Sequence, residues 1–459
     1  MDAITLPRAF GATFNARWIT LATLCMAVLV AQVDTAVVNL ATRPIGEYFA
    51  ASVGALQWVL DSYNLVYAVM LLTGGLLADL YGRRLIFMVG AAIFTGASLL
   101  CAFAPSIGIL FGGRARAGLG AALLIPASLA IIRVAWRDPV ERGRALGIWA
   151  ACNGLAMALG APLGGLLIHL FGWRSIFLAV APLSVAAFAL AIPSIPESSD
   201  PQNRNFDAAA QLLGAIALGS LAFAAIQSHG APVIAVIALA AAVLALAAFV
   251  RIEAKKRAAA LVPLDMFRTR EFRAAIVATT GMTFGMYGAL FLLPLTWQSV
   301  GRFDATAAGA ALMPMALIFV VVSSFSGALA AKFGVRLMTS GGVAIIGGGL
   351  LLIGLSAHQA SIVPSEIGLT LTGVGMGFAT GPLMGAAVGA AGAARSGTAS
   401  ALINVARMAG ATIGVAVLGA IFAMAHGGPD GLRLAMMLGG CVQIACAAIA
   451  WATTRPIAP

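Results

Sequence analysis

The chain has 459 residues, of which 61% are hydrophobic and only 9% charged, with a mean hydropathy of +1.01. Water-soluble globular domains carry about 25% charged residues, so this composition excludes one, and with it a soluble catalytic or nucleic-acid-binding domain. The formal net charge of +11 is expected to report membrane orientation instead.

Fourteen apolar runs, each near the ~20 residues that cross a bilayer, are predicted at 18–39, 55–78, 85–104, 107–132, 145–168, 174–193, 208–227, 231–250, 274–297, 306–330, 337–357, 362–391, 399–424 and 432–453. The first is long enough to stay in the membrane as a span rather than be cleaved as a signal. With the N-terminus inside, the inner loops hold twenty Lys/Arg and the outer loops four, Arg43, Arg174, Arg302 and Arg433. Cytoplasmic loops are enriched in these residues, so both termini are expected in the cytoplasm, in the inner membrane of a bacterial cell.

In the first span, the stretch VLVAQVDTAVVNLATRPI places Asp34 sixteen residues beyond Trp18, ~24 Å along a helix. That is the outer half of a ~30 Å hydrocarbon core, where an ionised carboxylate is costly unless paired or solvated. The second span descends from outside and carries Asp61 three residues after Trp58. The fourth span carries Arg114, ~10 Å from its outer start near Ile107. These three charges share one depth band and one half of the chain. A nearby arginine favours the ionised acid and burial opposes it, so Asp34 and Asp61 are candidates to exchange the coupled proton. A structural Asp34–Arg114 pair, and a head-group position for Asp61 at a helix start, are the plainer alternatives.

The loop GLLADLYGRR (75–84) is echoed by GALAAKFGVR (327–336), with Gly75/Gly327, Gly82/Gly334 and Arg84/Arg336 at one offset of 252. Arg144 and Asn153 match Arg395 and Asn404 at an offset of 251. Two related six-helix halves, 1–200 and 261–459, are therefore expected, with two inserted helices in 201–260. Internal repeats of this kind mark secondary transporters, whose substrate sites lie between the repeats. The basic segment Arg251 to Arg273 is expected to lie on the inner membrane surface. Arg407 follows Arg395 by twelve residues, ~18 Å into its span. It must face the cavity or satisfy itself on carbonyls and on Asn404. Asn39, Tyr63, Asn64, Tyr67, Asn153, Met286, Tyr287, Trp297, Gln298, Asn404 and Arg407 are the candidate cavity residues, with packing or interfacial anchoring as the alternative for the aromatic and methionine members. The five cysteines all lie in spans and read as packing residues. The four histidines fall near outer helix ends without metal-ligand spacing. No catalytic grouping, cofactor motif or metal cluster is recognised, so neither an enzyme nor a cofactor is expected.

GLLADLYGRR resembles the loop 2–3 signature of the major facilitator superfamily. The resemblance implies a gating role for Gly75, Asp79, Gly82, Arg83 and Arg84, with charge pairs that break between conformations. In the second copy Ala331 stands where Asp79 does, so such a latch is one-sided. RARAGLGAALLIPASLA (114–130) is similar to a second signature, with Arg114 as its arginine. GIWAACNGLAMALGAPLGG (147–165) is similar to the antiporter signature, with Gly160, Pro162, Gly164 and Gly165 as its small-residue and proline positions. VDTAVVNLA, LVPLDMFRTREF, ALFLLPLTWQSVGRFDATAAGAALMP and RSGTASALINVARMAGATIGVAVLG resemble the 14-helix drug:proton antiporter branch. The resemblance implies an all-α polytopic fold of two six-helix bundles plus two inserted helices. It also implies proton-coupled efflux of small amphipathic or drug-like compounds by a monomer in the bilayer, with a small-molecule substrate and protons as partners and no nucleic acid. A transporter of one specific metabolite or natural product on the same fold is the alternative.

Overall fold

A computed structural model describes residues 14–199, 207–228, 231–256, 262–359, 361–391 and 396–454. Among the described residues there are fourteen α-helices and no strand. The first six are α1 (Phe14–Phe49), α2 (Val53–Tyr81), α3 (Arg83–Ala102), α4 (Ile107–Ala135), α5 (Pro139–Phe171) and α6 (Arg174–Ser194). The inserted pair is α7 (Ala208–Gln227) and α8 (Pro232–Lys256). The last six are α9 (Arg270–Ser299), α10 (Ala305–Phe333), α11 (Val335–Leu355), α12 (Val363–Ala391), α13 (Ser396–Met424) and α14 (Gly428–Thr453). Apolar surroundings offer backbone groups no water, so each segment must close its own hydrogen bonds as a helix. Serine and aspartate at the turns start several of them. Ser52, Ser106, Asp207 and Asp304 each accept the N–H three residues on, which satisfies a donor the first turn leaves open.

Twelve of these helices are long and apolar enough to cross a membrane, or thirteen if the bent α2 is one span. The expected fourteen are therefore not all met by length and composition. α2 bends by 50° between Leu71 and Thr73, just before the pair Gly74–Gly75, where helices kink readily. α5 contributes Leu159–Phe171 as a shorter apolar helix, several side chains of its earlier turns lying outside the described residues.

The end of the bundle where α1 begins is called here the near end, and the end with the α1–α2 turn the far end. The near end holds two cores. One is built mainly from the first six helices, including Leu24, Phe87, Phe94 and Ile132, with Met408 of α13 also buried in it. The other is built from the last six, including Phe272, Ile346, Leu383 and Ile403. The far end holds a single core shared by both halves, in which Leu40, Ile45, Leu56 and Phe177 pack with Phe291, Leu292, Val415 and Phe422.

The repeat seen in the sequence is present in the backbone. Gly82 and Gly334 join α2 to α3 and α10 to α11 with φ of 116° and 88°, values that disfavour any residue with a Cβ. Arg84 and Arg336 reach the corresponding carbonyls, Ile195 at the end of α6 at 3.5 Å and Trp451 at the end of α14 at 2.9 Å. In the segment expected to anchor at the inner surface, residues 257–261 lie outside the described residues, and Arg251, Lys255, Lys256, Arg268, Arg270 and Arg273 are exposed. Val262 donates its N–H to the buried Glu253 at 2.5 Å, and Met266, in a single 3-10 turn Leu264–Arg268, is buried in the core of the last six helices.

Candidate functional site

Asp34 and Arg114 meet as a buried ion pair. Arg114 Nη1 lies 2.6 Å from Asp34 Oδ2, and both side chains are 2% exposed. Arg114 Nε also donates to the Val59 carbonyl at 3.1 Å, and its guanidinium lies 4.6 Å above the Tyr63 ring. Tyr63 in turn stacks near Tyr67, with centroids 6.0 Å apart. Tyr63 therefore belongs to the charge pair's housing. The shared depth of Asp34 and Arg114 was a true indication of contact.

Asp61 is not part of this pair. It is completely buried, and neither carboxyl oxygen has a hydrogen-bond partner among the described residues. The head-group position considered from the sequence does not hold. Gln57, one turn before it on the same face of α2, donates its side-chain amide to Val415 O at 2.9 Å and Ala416 O at 2.8 Å on α13. One turn back along α13 comes Thr412, whose buried hydroxyl also lacks a partner among the described residues. Asp61 and Thr412 thus occupy matching levels beneath the Gln57 bonds.

Every hydrogen bond that joins the two halves among the described residues lies at this far end. Gln298 Nε2 donates to Leu40 O at 3.3 Å, and Thr306 Oγ1 to Gly165 O at 3.2 Å. His169 and Asp304 approach to 3.6 Å across the same junction. The antiporter-signature glycines make the close approach. A Cβ on Gly164 would lie 2.3 Å from Val37 of α1, and one on Gly165 2.5 Å from the Ala305 carbonyl. Gly160 faces Ala36, and Pro162 lies half-buried one turn before Leu166 in α5. Gln298, expected in the cavity, is a closing contact instead. Trp297 is 2% exposed, packs edge-on to Phe303 at 5.5 Å, and lines a far-end pocket within the last six helices. Both sit on the last turn of α9, too far along the helix to reach the middle of the bundle.

Between the halves lies a cleft of about 530 Å3, counting space open at its mouth. α1 lines it with Gln32, Thr35, Ala36 and Asn39, α5 with Ala161, α9 with Tyr287 and Leu290, and α10 with Leu312, Met315 and Ala316. Asn39 Nδ2 donates to Thr35 O at 3.0 Å, while its buried Oδ1 accepts nothing among the described residues. Asn64 and Met286 are buried away from this lining. Asn404 Nδ2 donates to Ser400 O at 3.0 Å. Arg407 is half-buried on α13 and is not among the residues lining this cleft. The side chain of Asn153 lies outside the described residues.

At the near end Asp79 Oδ1 pairs with Arg83 Nη2 at 2.8 Å. Glu197, just past α6, accepts the N–H groups of Arg84 and Leu85 at 3.0 Å each, and Arg83 N–H donates to Ser198 O at 2.9 Å. The loop is thus clamped to α6 of its own half. Gly75 sits against Pro126 of α4 at ordinary contact distance. Sequence reasoning missed Glu197, Gln57 and Thr412. The signal for the first two was a polar residue directly beside or inside an apolar run.

Comparison with known proteins agrees with this architecture. A family model described as Major Facilitator Superfamily matches residues 23–415. The multidrug resistance protein Stp of Mycobacterium tuberculosis (strain CDC 1551 / Oshkosh) is 35% identical over 393 residues, covering 85% of this chain and 73% of that protein. The methylenomycin A resistance protein of Bacillus subtilis (strain 168) is 34% identical over 441 residues, covering 93% and 92%. A solved inward-facing, unoccupied bacterial homologue of the human lysosomal transporter Spinster aligns with a TM-score of 0.68 at 16% identity, over 96% of this chain and 98% of that one. With a family model over residues 23–415 and relatives of this identity and coverage, the chain belongs to the Major Facilitator Superfamily, as a multi-pass membrane transporter of small molecules and not an enzyme.

Proposed function

We propose that the protein exports small amphipathic, drug-like compounds across the cytoplasmic membrane in exchange for protons, by alternating access, with both termini in the cytoplasm. The observation that carries this reading is the asymmetry of the cores. One apolar core and all the described inter-half hydrogen bonds hold the halves together at the far end, while at the near end each half has its own core, joined only where Met408 of α13 enters the first. With the near end cytoplasmic, this is an inward-facing state that receives cargo from the cell. The positive-inside distribution of Lys/Arg supports that orientation, and relatives that include a multidrug resistance protein support the direction of transport.

Transport requires the halves to part at the far end and meet at the near end. Gly160, Gly164 and Gly165 let α5 pivot closely against α1 and α10. Asp34, held by Arg114, and Asp61, sealed beneath the Gln57 bonds, are assigned the coupled protons. Opening the far end brings water to Asp61, and water makes ionisation affordable there. Asp79, Arg83, Arg84, Gly75 and Gly82 are assigned to the cytoplasmic gate. A pump for a single natural product is a second reading, favoured by the near-complete alignment with a protein named for resistance to one antibiotic, methylenomycin A. Both readings are tested by exposing a susceptible bacterial host, with and without the protein, to a panel of toxic compounds, and by measuring proton release on substrate addition in vesicles. Broad resistance supports the first, and resistance confined to one compound the second. Resistance to none, at normal membrane levels, would remove both.

A further inference from the structure

A second pocket lies at the far end, apart from the inter-half cleft and within the last six helices. Its space is about 520 Å3, counting what is open at its mouth. The chain doubles back after α9, where Gly301 has a φ of 69° and the N–H groups of Arg302 and Phe303 both donate to Trp297 O, at 2.9 and 3.3 Å. This turn brings Arg302 to the α11–α12 loop, where Nη2 donates to Gln359 O at 2.5 Å. His358 of the same loop lies 3.0 Å from Asp430 in the first turn of α14. Arg302 and His358 both line the pocket, and among the described residues no carboxylate does. Asp430 is turned outward at 74% exposure, and Glu366 is not part of the lining. Two further donors are unspent. The Trp297 indole N–H and the Ser365 hydroxyl make no hydrogen bond among the described residues, although both residues line the pocket and are only 2% and 4% exposed. Buried donors without an acceptor are costly, and a ligand that supplies the acceptor relieves the cost. Ser365 and Pro429 also place the starts of α12 and α14 at the pocket, and a helix start favours an anion.

We propose that this pocket binds a phosphate oxyanion, presented by the head group of a phospholipid. Arg302 supplies the charge, and a guanidinium suits phosphate because its planar N–H groups match two oxygens at once. Trp297 and Ser365 donate to the same group. The pocket sits at helix ends, the level at which tryptophan and arginine meet lipid head groups. Its apolar members Val300 and Leu432 face the glycerol, and beside the α11–α12 loop Leu355, Val363 and Ile367 are 63%, 58% and 50% exposed. Acyl chains leaving the pocket thus have an apolar surface to follow, for which a free phosphate has no use. The bound phosphate ties α9, α12 and α14 together at the far end. The site goes beyond the export reading, and only its assignment to the outer leaflet rests on that reading.

The test uses the full chain, purified in dodecylmaltoside and washed free of lipid, and follows its melting temperature. Three probes are titrated: dioctanoylphosphatidylglycerol, dioctanoylglycerol with the same chains and no phosphate, and inorganic phosphate. The phospholipid is expected to raise the melting temperature to a plateau, and dioctanoylglycerol to leave it unchanged. Arg302→Gln is expected to raise the phospholipid concentration at half-maximal shift about tenfold or more. Trp297→Phe, which keeps a ring and loses the N–H, is expected to raise it several-fold. Arg273→Gln, at an exposed position near the other end of α9, is expected to leave it unchanged. A shift of the same size from inorganic phosphate would keep the oxyanion site and overturn the lipid source. An equal shift from dioctanoylglycerol would overturn the inference. So would a phospholipid shift unmoved by both Arg302→Gln and Trp297→Phe, which would place the lipid on the basic inner loops, or no shift at all in folded protein. If Arg302→Gln fails to fold, Trp297→Phe and the probe series on the unaltered protein decide.

Discussion

The side-chain amide of Gln57 on α2 bonds two successive carbonyls of α13, Val415 and Ala416, and it fits only because Gly419 has no Cβ, which would lie 2.2 Å from Gln57 Nε2. A glutamine in an apolar span is costly unless satisfied, and here the far side of the other half satisfies it. The bond exists only while α2 and α13 are together, so it is a difference between two conformations of the transporter and not a general contribution to folding. In a membrane such bonds are worth about 0.6 kcal/mol each on average, so the pair biases the equilibrium by about 1 kcal/mol.

That bias is measurable. In a background lacking the native cysteines, Thr412→Cys sits beneath the Gln57 bonds, where the native Thr412 is 1% exposed. Its reaction with a membrane-impermeant maleimide added from outside reports parting of α2 and α13. Adding Gln57→Leu is expected to raise the labelling rate about fivefold, the factor that corresponds to about 1 kcal/mol. An unchanged rate would show that the bond does not hold the far end shut.

The near-end loop makes a different prediction. Asp79 pairs with Arg83 at the loop and Glu197 ties the loop to the end of α6, so their loss should alter the shape of the gate. Asp79→Asn and Glu197→Gln are each expected to lower efflux several-fold at normal membrane abundance. Glu197→Gln also removes an acceptor from the three backbone N–H bonds that Glu197 receives, and should lower the melting temperature in detergent. Unchanged flux in both variants would leave the loop a positive-inside anchor only.

Much of this was legible in the sequence because it depends on position along a helix. The offset of 252 between Gly82 and Gly334 became two matching positive-φ turns, and the shared depth of Asp34 and Arg114 became a contact. Rotation about the helix axis was not legible. Asp61 has the same depth as Asp34 but faces α13, and a one-residue difference in azimuth, 100° on a helix of 3.6 residues per turn, separates those outcomes. Gln298 and Trp297 failed for the same reason in the other coordinate: they are polar or amphipathic residues at a helix end, where they close the far face. Glu197 stood out as a polar residue just past an apolar run, but its partners did not, because they are backbone amides of Arg84 and Leu85, more than a hundred residues away in the chain.

Topology is the simplest claim to check. A reporter fused after Arg204 is expected to read cytoplasmic and one fused at His229 periplasmic, because α7 then crosses once between them. The same location for both would mean that α7 does not span, and would reduce the spans below fourteen.

The two buried acids separate by stability as well as by transport. Asp34 has a partner in Arg114 at 2.6 Å, so Asp34→Asn strands a buried guanidinium at a cost of about 3–5 kcal/mol. It should lower the melting temperature in detergent and abolish uphill efflux together. Replacing both partners, Asp34→Asn with Arg114→Gln, leaves no unpaired charge and is expected to recover most of the stability while efflux stays lost. Asp61 has no partner to strand, so Asp61→Asn is expected to keep the melting temperature within the change that about 1 kcal/mol produces. It should still block pH-driven efflux while permitting downhill exchange, because Asn copies the neutral acid in shape. Asp34→Glu, which keeps the charge and moves it by one methylene, should retain partial efflux. Full pH-driven efflux by Asp34→Asn would remove Asp34 from the proton path and leave it as Arg114's counter-ion. Full efflux by Asp61→Asn would do the same for Asp61, and its burial beneath Gln57 would then have no part in coupling.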